Sequence, residues 1–364
     1  MKRKARPFGR NRGIGAALPI GKVPVDLLRR LLGRLAKIHD PRVVVGAGIG
    51  LDAAVIRFGG SWLVAKTDPI TFVADEIGTY AVVINANDLA ATGATPKWFL
   101  ATLLFPARST TAGVVTKVFA QVQAMCRSMR ITLCGGHTEI TDTVTRPVVV
   151  GCLLGESLTG GIVTAAGARI GDSLLLTKGV AIEAVSILAR ERADEIRQRF
   201  GASFLARCRR YLKDPGLSVV KDARLAMATG GVHAMHDPTE GGLSAALYEL
   251  AEAAGVGLAI EAAAIPVLPE AARLCAAFDL DPLGVMASGS LLLCIDPAVE
   301  ASLVRRLRRA RVPVARIGTV VERSNGVTLA EGGRERRFPR FAVDELARLF
   351  QRPRGARGNP LDRH

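Results

Sequence analysis

Asp52 and Asp68 are the residues in this sequence best placed to do chemistry. Segments 52–58 and 61–68 flank Gly59-Gly60, and a Gly-Gly pair between β-branched and aromatic runs predicts a two-residue hairpin turn. Pairing Phe58 with Ser61 sets Asp52 opposite Thr67 and one step from Asp68. Two carboxylates roughly 5 Å apart repel by about 3 kcal/mol at an effective dielectric of about 20. A cation or a shared proton relieves that cost, and a divalent metal is the simplest candidate.

Three further stretches carry polar groups in a pattern. In Asn85-Ala-Asn87-Asp88-Leu-Ala-Ala-Thr92-Gly93, residues Asn85, Asp88 and Thr92 form one polar stripe on an otherwise apolar helix. Such a stripe is buried only if something satisfies it. The run His236-Asp237-Pro238-Thr239-Glu240-Gly241-Gly242 precedes an apolar helical pattern. There Asp237 reads as N-cap, Pro238 as first helical residue and Glu240 as the capping-box partner. The double glycine is unexplained by capping, since each Gly costs about 1 kcal/mol inside a helix, and close approach of a phosphate is one reason to accept it. Gly135-Gly136-His137-Thr138-Glu139 follows a short strand and reads as a phosphate-accommodating loop, with His137 as an acid/base or a simple hydrogen-bonding residue. Gly46-Ala-Gly48-Ile-Gly50 is followed by an acidic strand instead of a helix and so fails as a dinucleotide loop, and there is no P-loop motif. Gly13-Ile-Gly15 with Lys22 lies in an arm able to fold over a triphosphate.

The elements that must position these groups follow from periodicity. Helices are expected at Pro24 to His39 (stripe Leu28, Leu31, Leu32, Leu35, Ile38), Glu76 to Gly93, Thr110 to Met129 and Pro238 to Ala254. Strands are expected at Lys97 to Leu104, Ile131 to Cys134, Pro147 to Leu154, Ser173 to Thr177, Val256 to Ile260, Ser290 to Ile295 and Val314 to Val320. The glycine-rich stretch from Gly155 to Gly171 marks a domain boundary, giving an arm (1–20), two domains (21–160 and 161–333) and a tail (334–364). Strands and helices mix without a strict βαβ rhythm, so the fold class is α/β or α+β.

Composition narrows the partners. The chain has 364 residues, 38 of them Gly, and a net charge of +16. Much of that charge sits at the ends, in six basic residues before Gly13 and nine Arg from Arg334 onward, and such tails are usually solvated. No basic helix with interleaved aromatics exists, so nucleic acid is an improbable partner. Cys126, Cys134, Cys152, Cys208, Cys275 and Cys294 form no C-x-x-C pair and read as structural thiols in a reducing cytoplasm. No apolar run approaches the length of a membrane span.

Taken together, Gly50-Leu-Asp52-Ala-Ala, Thr67-Asp68, Asn87-Asp88-Leu-Ala-Ala-Thr-Gly-Ala, Gly135-Gly136-His137-Thr138 and Asp237-Pro-Thr-Glu-Gly-Gly-Leu resemble the PurM-like, AIR-synthase-related superfamily, in order and spacing. Within it the chain looks most like the hydrogenase-maturation HypE type, over roughly residues 19–330. The resemblance implies two α/β domains, the first pairing across a homodimer into a barrel-like sheet. It implies ATP and Mg²⁺ as cofactors, with Asp52, Asp68, Asp88 and Asp237 as metal ligands. Thr67, Asp68, Asn85, Asn87, Gly135, Gly136 and Thr138 are carried over as nucleotide-binding positions, and Lys22 and His137 as catalytic ones. The implied chemistry is phosphorylation of an amide-, carboxylate- or phosphate-type oxygen on a small or protein-borne substrate. No Cys follows Cys294, whereas the HypE type carries its carbamoyl group on a terminal Cys, so a catalytically quiet nucleotide-binding partner in a maturation complex is the alternative.

Overall fold

The Gly59-Gly60 turn closes in the expected register, with Phe58 paired to Ser61 and Ala54 to Ala65. The structure, a computed structural model, describes residues 18–34, 40–157 and 161–351. In its first half, β1 (Val43–Val45), β2 (Ala54–Phe58), β3 (Ser61–Ile70), β4 (Thr95–Pro106), β5 (Thr132–Thr141) and β6 (Val148–Ser157) form a six-stranded sheet. Its order is β1-β2-β3-β6-β4-β5, antiparallel throughout except for β4 with β5. In the second half, β7 (Ser173–Thr177), β8 (Val232–His236), β9 (Gly257–Glu261), β10 (Leu292–Ile295), β11 (Val314–Val321), β12 (Val327–Glu331) and β13 (Arg334–Arg337) form a seven-stranded sheet. Its order is β13-β12-β9-β11-β7-β10-β8, with only β12 and β9 parallel. This is a mixed α/β fold with one sheet in each half. The first sheet ends at β1 and β5, so no closed barrel forms within the described chain.

The helix Ile77–Ala91 is buried along all of its length. Its sequence is apolar nearly all round, which suits a helix covered on every side. It packs on β3, β4 and β6, on the helix Ala112–Met129 and on the helix Val220–Met227 of the second half. The polar groups it carries are therefore held at the junction of the two halves.

Four expectations are corrected. The first helix spans only Val25–Leu32 and buries no residue; Leu28 and Leu31 face outward, and Arg29 ties the helix to Glu252 by a 2.7 Å ion pair instead. Leu35, Ile38 and His39 lie outside the described residues, as do Gly13 and Gly15. Gly135-Gly136-His137-Thr138 is not a loop but the middle of β5, an exposed edge strand. A Cβ on Gly136 would collide with the Ala101 carbonyl oxygen of β4, so close strand packing accounts for that glycine. The helix expected from Pro238 begins at Gly242, with Gly241 as its cap. Both glycines have positive φ (85° and 64°), and a side chain on Gly242 would strike the carbonyls of Leu283 and Val285. Backbone geometry, not helix capping by Asp237, requires the pair.

The last correction concerns the basic tail. Residues 334–351 include β13 and a helix, Glu345–Gln351, and Phe338, Leu346 and Ala347 are buried. Apolar residues spaced among the arginines gave this segment a core-facing side. Some of its charges are engaged: Arg340 lies over the Tyr248 ring and Arg348 pairs with Glu345. Residues 352–364 lie outside the described part. Among the described residues, no helix is long and apolar enough to cross a membrane.

Candidate active site

Asp52, two residues before β2, does not meet its counter-charge within the hairpin. Its Oδ2 lies 2.9 Å from Nδ1 of His236, at the end of β8 in the other half. The second ring nitrogen, Nε2, lies 3.0 Å from Oε2 of Glu249 on the helix Gly242–Ala254. Burial opposes charge on the imidazole, but Asp52 and Glu249 outweigh it and raise the His236 pKa well above its ordinary value. The imidazolium donates from both nitrogens and stitches the two halves together.

Asp237 follows His236 and is buried, and neither of its carboxylate oxygens has a hydrogen-bond partner. Burial, reinforced by the charge of Asp52, pushes its pKa up to about 7. Ligand atoms of Asp52, His236 and Asp237 all lie within 4.8 Å of one another. Asp88, on the buried helix, points its Oδ2 at Lys66 Nζ, 3.2 Å away, without a hydrogen bond. Burial raises the Asp88 pKa far above the usual carboxylate range; Lys66 opposes this, while Asp237, Asp52 and Asp68 add to it. That mutual effect places all four aspartates in one electrostatic neighbourhood.

Asn85 donates to the backbone carbonyls of Ala81 and Asp68, and its own Oδ1 has no partner. Asn87 spends its amide on Leu217 O and Val219 N–H, so it joins the halves instead of facing the acids. Thr67 donates its hydroxyl to Gly151 O within the sheet. Lys22 does reach the site: its backbone N–H donates to Glu240, its Nζ lies 3.1 Å from Thr239 Oγ1, and Glu249 is 3.9 Å away.

Gly135, Gly136, His137 and Thr138 do not join this cluster. Asp68 sits opposite Gly151, Gly151 opposite Ala101, and Ala101 opposite Gly136. Three strand spacings, about 14 Å, separate them. His137 faces outward near Glu139, 3.6 Å away.

Sequence reading passed over Lys66, His236 as a bridge, and Glu249. Lys66 was findable, because it lies two residues before Asp68 and strand alternation puts both on one face. Glu249 had no local signal, as its role depends on a helix from the other half.

This arrangement matches a known architecture. The description "AIR synthase related protein, N-terminal domain" matches residues 50–157, and its C-terminal counterpart matches residues 169–330. The chain belongs to the AIR synthase related, PurM-like family. It is 28% identical to the carbamoyl dehydratase HypE of Cupriavidus necator over 279 residues, covering 74% of this chain and 76% of that protein. It is 30% identical to a selenide, water dikinase of Nitratidesulfovibrio vulgaris over 259 residues, covering 69% and 70%. Among solved structures it resembles the hydrogenase maturation protein HypE in complex with ATP, with a TM-score of 0.67 at 22% identity, covering 88% of this chain and 96% of that one.

Proposed function

We propose that this chain is a Mg²⁺- and ATP-dependent enzyme that phosphorylates an oxygen of an amide-, carboxylate- or phosphate-type substrate. The observation that carries the reading is Asp237, buried with two unpartnered carboxylate oxygens beside Asp52 and Asp88. Buried polar groups without partners are costly and call for a ligand. Hard carboxylate oxygens suit Mg²⁺, so the donor set fits: Asp52 and Asp237 would hold the ion, with Asp68 and Asp88 completing the acidic cluster around it. When bound, the ion would neutralise and orient the phosphates. The named ATP complex of HypE supports a nucleotide in a fold of this kind.

The protein's own groups supply the rest. His236, fixed from both sides, holds Asp52 in place. Lys22 and Lys66 bring positive charge to the edge of the acid cluster, where it would meet phosphate oxygens. The exposed edge strand β5 supports a homodimer in which a second copy pairs along it, and Gly135–Thr138 would then serve a nucleotide from that interface. The acceptor is a small or protein-borne oxygen nucleophile.

The test is a melting-shift panel with ATP, ADP and AMP, each with and without Mg²⁺, followed by phosphate release. A ligand that binds only the folded state raises the midpoint by mass action. A Mg²⁺-dependent shift with ATP, lost in Asp237→Asn, is expected. Equal shifts in wild type and Asp237→Asn would remove the site, and stoichiometric binding without turnover would favour a quiet nucleotide-binding partner.

A further inference from the structure

Lys66 is a cation that is only half committed. Its side chain is three-quarters buried and its Nζ stands 3.2 Å from Asp88 Oδ2, yet no hydrogen bond holds it. An ammonium has three donors, so Lys66 keeps hydrogen-bonding capacity at the mouth of the acid cluster. The charges around it can be counted from the geometry. With every group ionised, the four aspartates, Glu240 and Glu249 outnumber Lys22, Lys66 and the His236 imidazolium by three charges. A single divalent ion offsets most of that excess. His236 offers no free ring nitrogen, since carboxylates take both. The buried donors without a partner are the oxygens of Asp237, which is 1% exposed, and Oδ2 of Asp88, which is 2% exposed and faces the ammonium.

We propose that Lys66 is a built-in counter-ion that takes the place of a second divalent cation at Asp88, so that this chain engages a nucleotide with one metal ion and one ammonium. This rests on the reading of the cluster as a Mg-ATP site and specifies how that site is charged. A divalent ion beside Asp88 would lie close to Nζ, where two like charges repel strongly at low dielectric. The metal is therefore directed to the Asp52 and Asp237 side, and Lys66 is left to meet a phosphate oxygen.

Mn²⁺, read by electron paramagnetic resonance, is the probe. Wild type should hold one Mn²⁺ per chain in the presence of a non-hydrolysable ATP analogue. Lys66→Met should bind Mn²⁺ at least tenfold more tightly without nucleotide and take up two ions with the analogue, whereas Lys66→Arg should stay at one. Wild type holding two ions overturns the proposal whatever the variants do, which keeps the test valid should Lys66→Met fail to fold. Unchanged or weaker Mn²⁺ binding in a folded Lys66→Met also overturns it. Wild type that binds neither Mn²⁺ nor the analogue would sink the nucleotide-site reading itself, and this outcome is distinct from a count of two.

Discussion

Lys178 and Asp222 lie 3.4 Å apart in the second half, and Lys66 and Asp88 lie 3.2 Å apart where the halves meet. Both pairs are mostly buried, yet only the first is complete. Lys178 also donates to the carbonyls of Gly216 and Ser218, and Asp222 accepts from the Thr177 hydroxyl. Lys66 has no such partners, and Asp88 is crowded by three further acids. A satisfied buried pair is a structural device, because removing either member strands the other. A crowded, unsatisfied pair retains an unmet demand for counter-charge, and that demand is what a ligand can use. The contrast separates stability from function within one chemical motif.

Four measurements put this contrast to the test. Asp52→Asn combined with Asp88→Asn should weaken Mg-ATP binding by about a hundredfold or more, since each change removes a carboxylate charge facing the cation and a hundredfold is only about 2.7 kcal/mol; calorimetric titration would read it. Lys178→Met should cost about 3–5 kcal/mol of stability in denaturant titration while leaving Mg-ATP affinity of the folded protein unchanged, because it leaves a buried carboxylate unpaired. Near-normal stability in that variant would erase the distinction between the pairs.

The third measurement concerns pH. Burial pushes Glu183 up to about 7, from an ordinary value of 4.5. Its folded-state value is raised, so its contribution is fully present below about pH 4.5 and is lost as pH rises through 7. That contribution is on the order of 3 kcal/mol, at about 1.4 kcal/mol per unit. Glu183→Gln should flatten this part of the stability profile relative to wild type between pH 4 and 8. The smallest effect is expected at the sheet edge: His137→Ala, on an exposed strand, should change monomer stability by under about 0.5 kcal/mol. A larger loss that grows with protein concentration would show β5 buried between two copies.

How much was legible in the residues can be judged element by element. The hairpin register was fixed by Gly59-Gly60, and the buried helix by its largely apolar composition. The strand β5 was misread because two glycines look like a loop until the Ala101 carbonyl across the ladder is seen to need them. The segment after Arg334 was misread because charge dominated its composition, while a few apolar side chains decided its burial.

By itself the sequence determined the local turns, the apolar faces and the set of aspartates available for chemistry, since these depend on residue type and near-neighbour spacing. The tertiary structure alone decided that Asp52 answers to His236, itself held by Glu249, that Asp88 answers to Lys66, and that Gly135–Thr138 stand apart at the sheet edge. The reason is physical: electrostatic partnership falls with distance in space, and burial strengthens it, while neither quantity is written in separation along the chain.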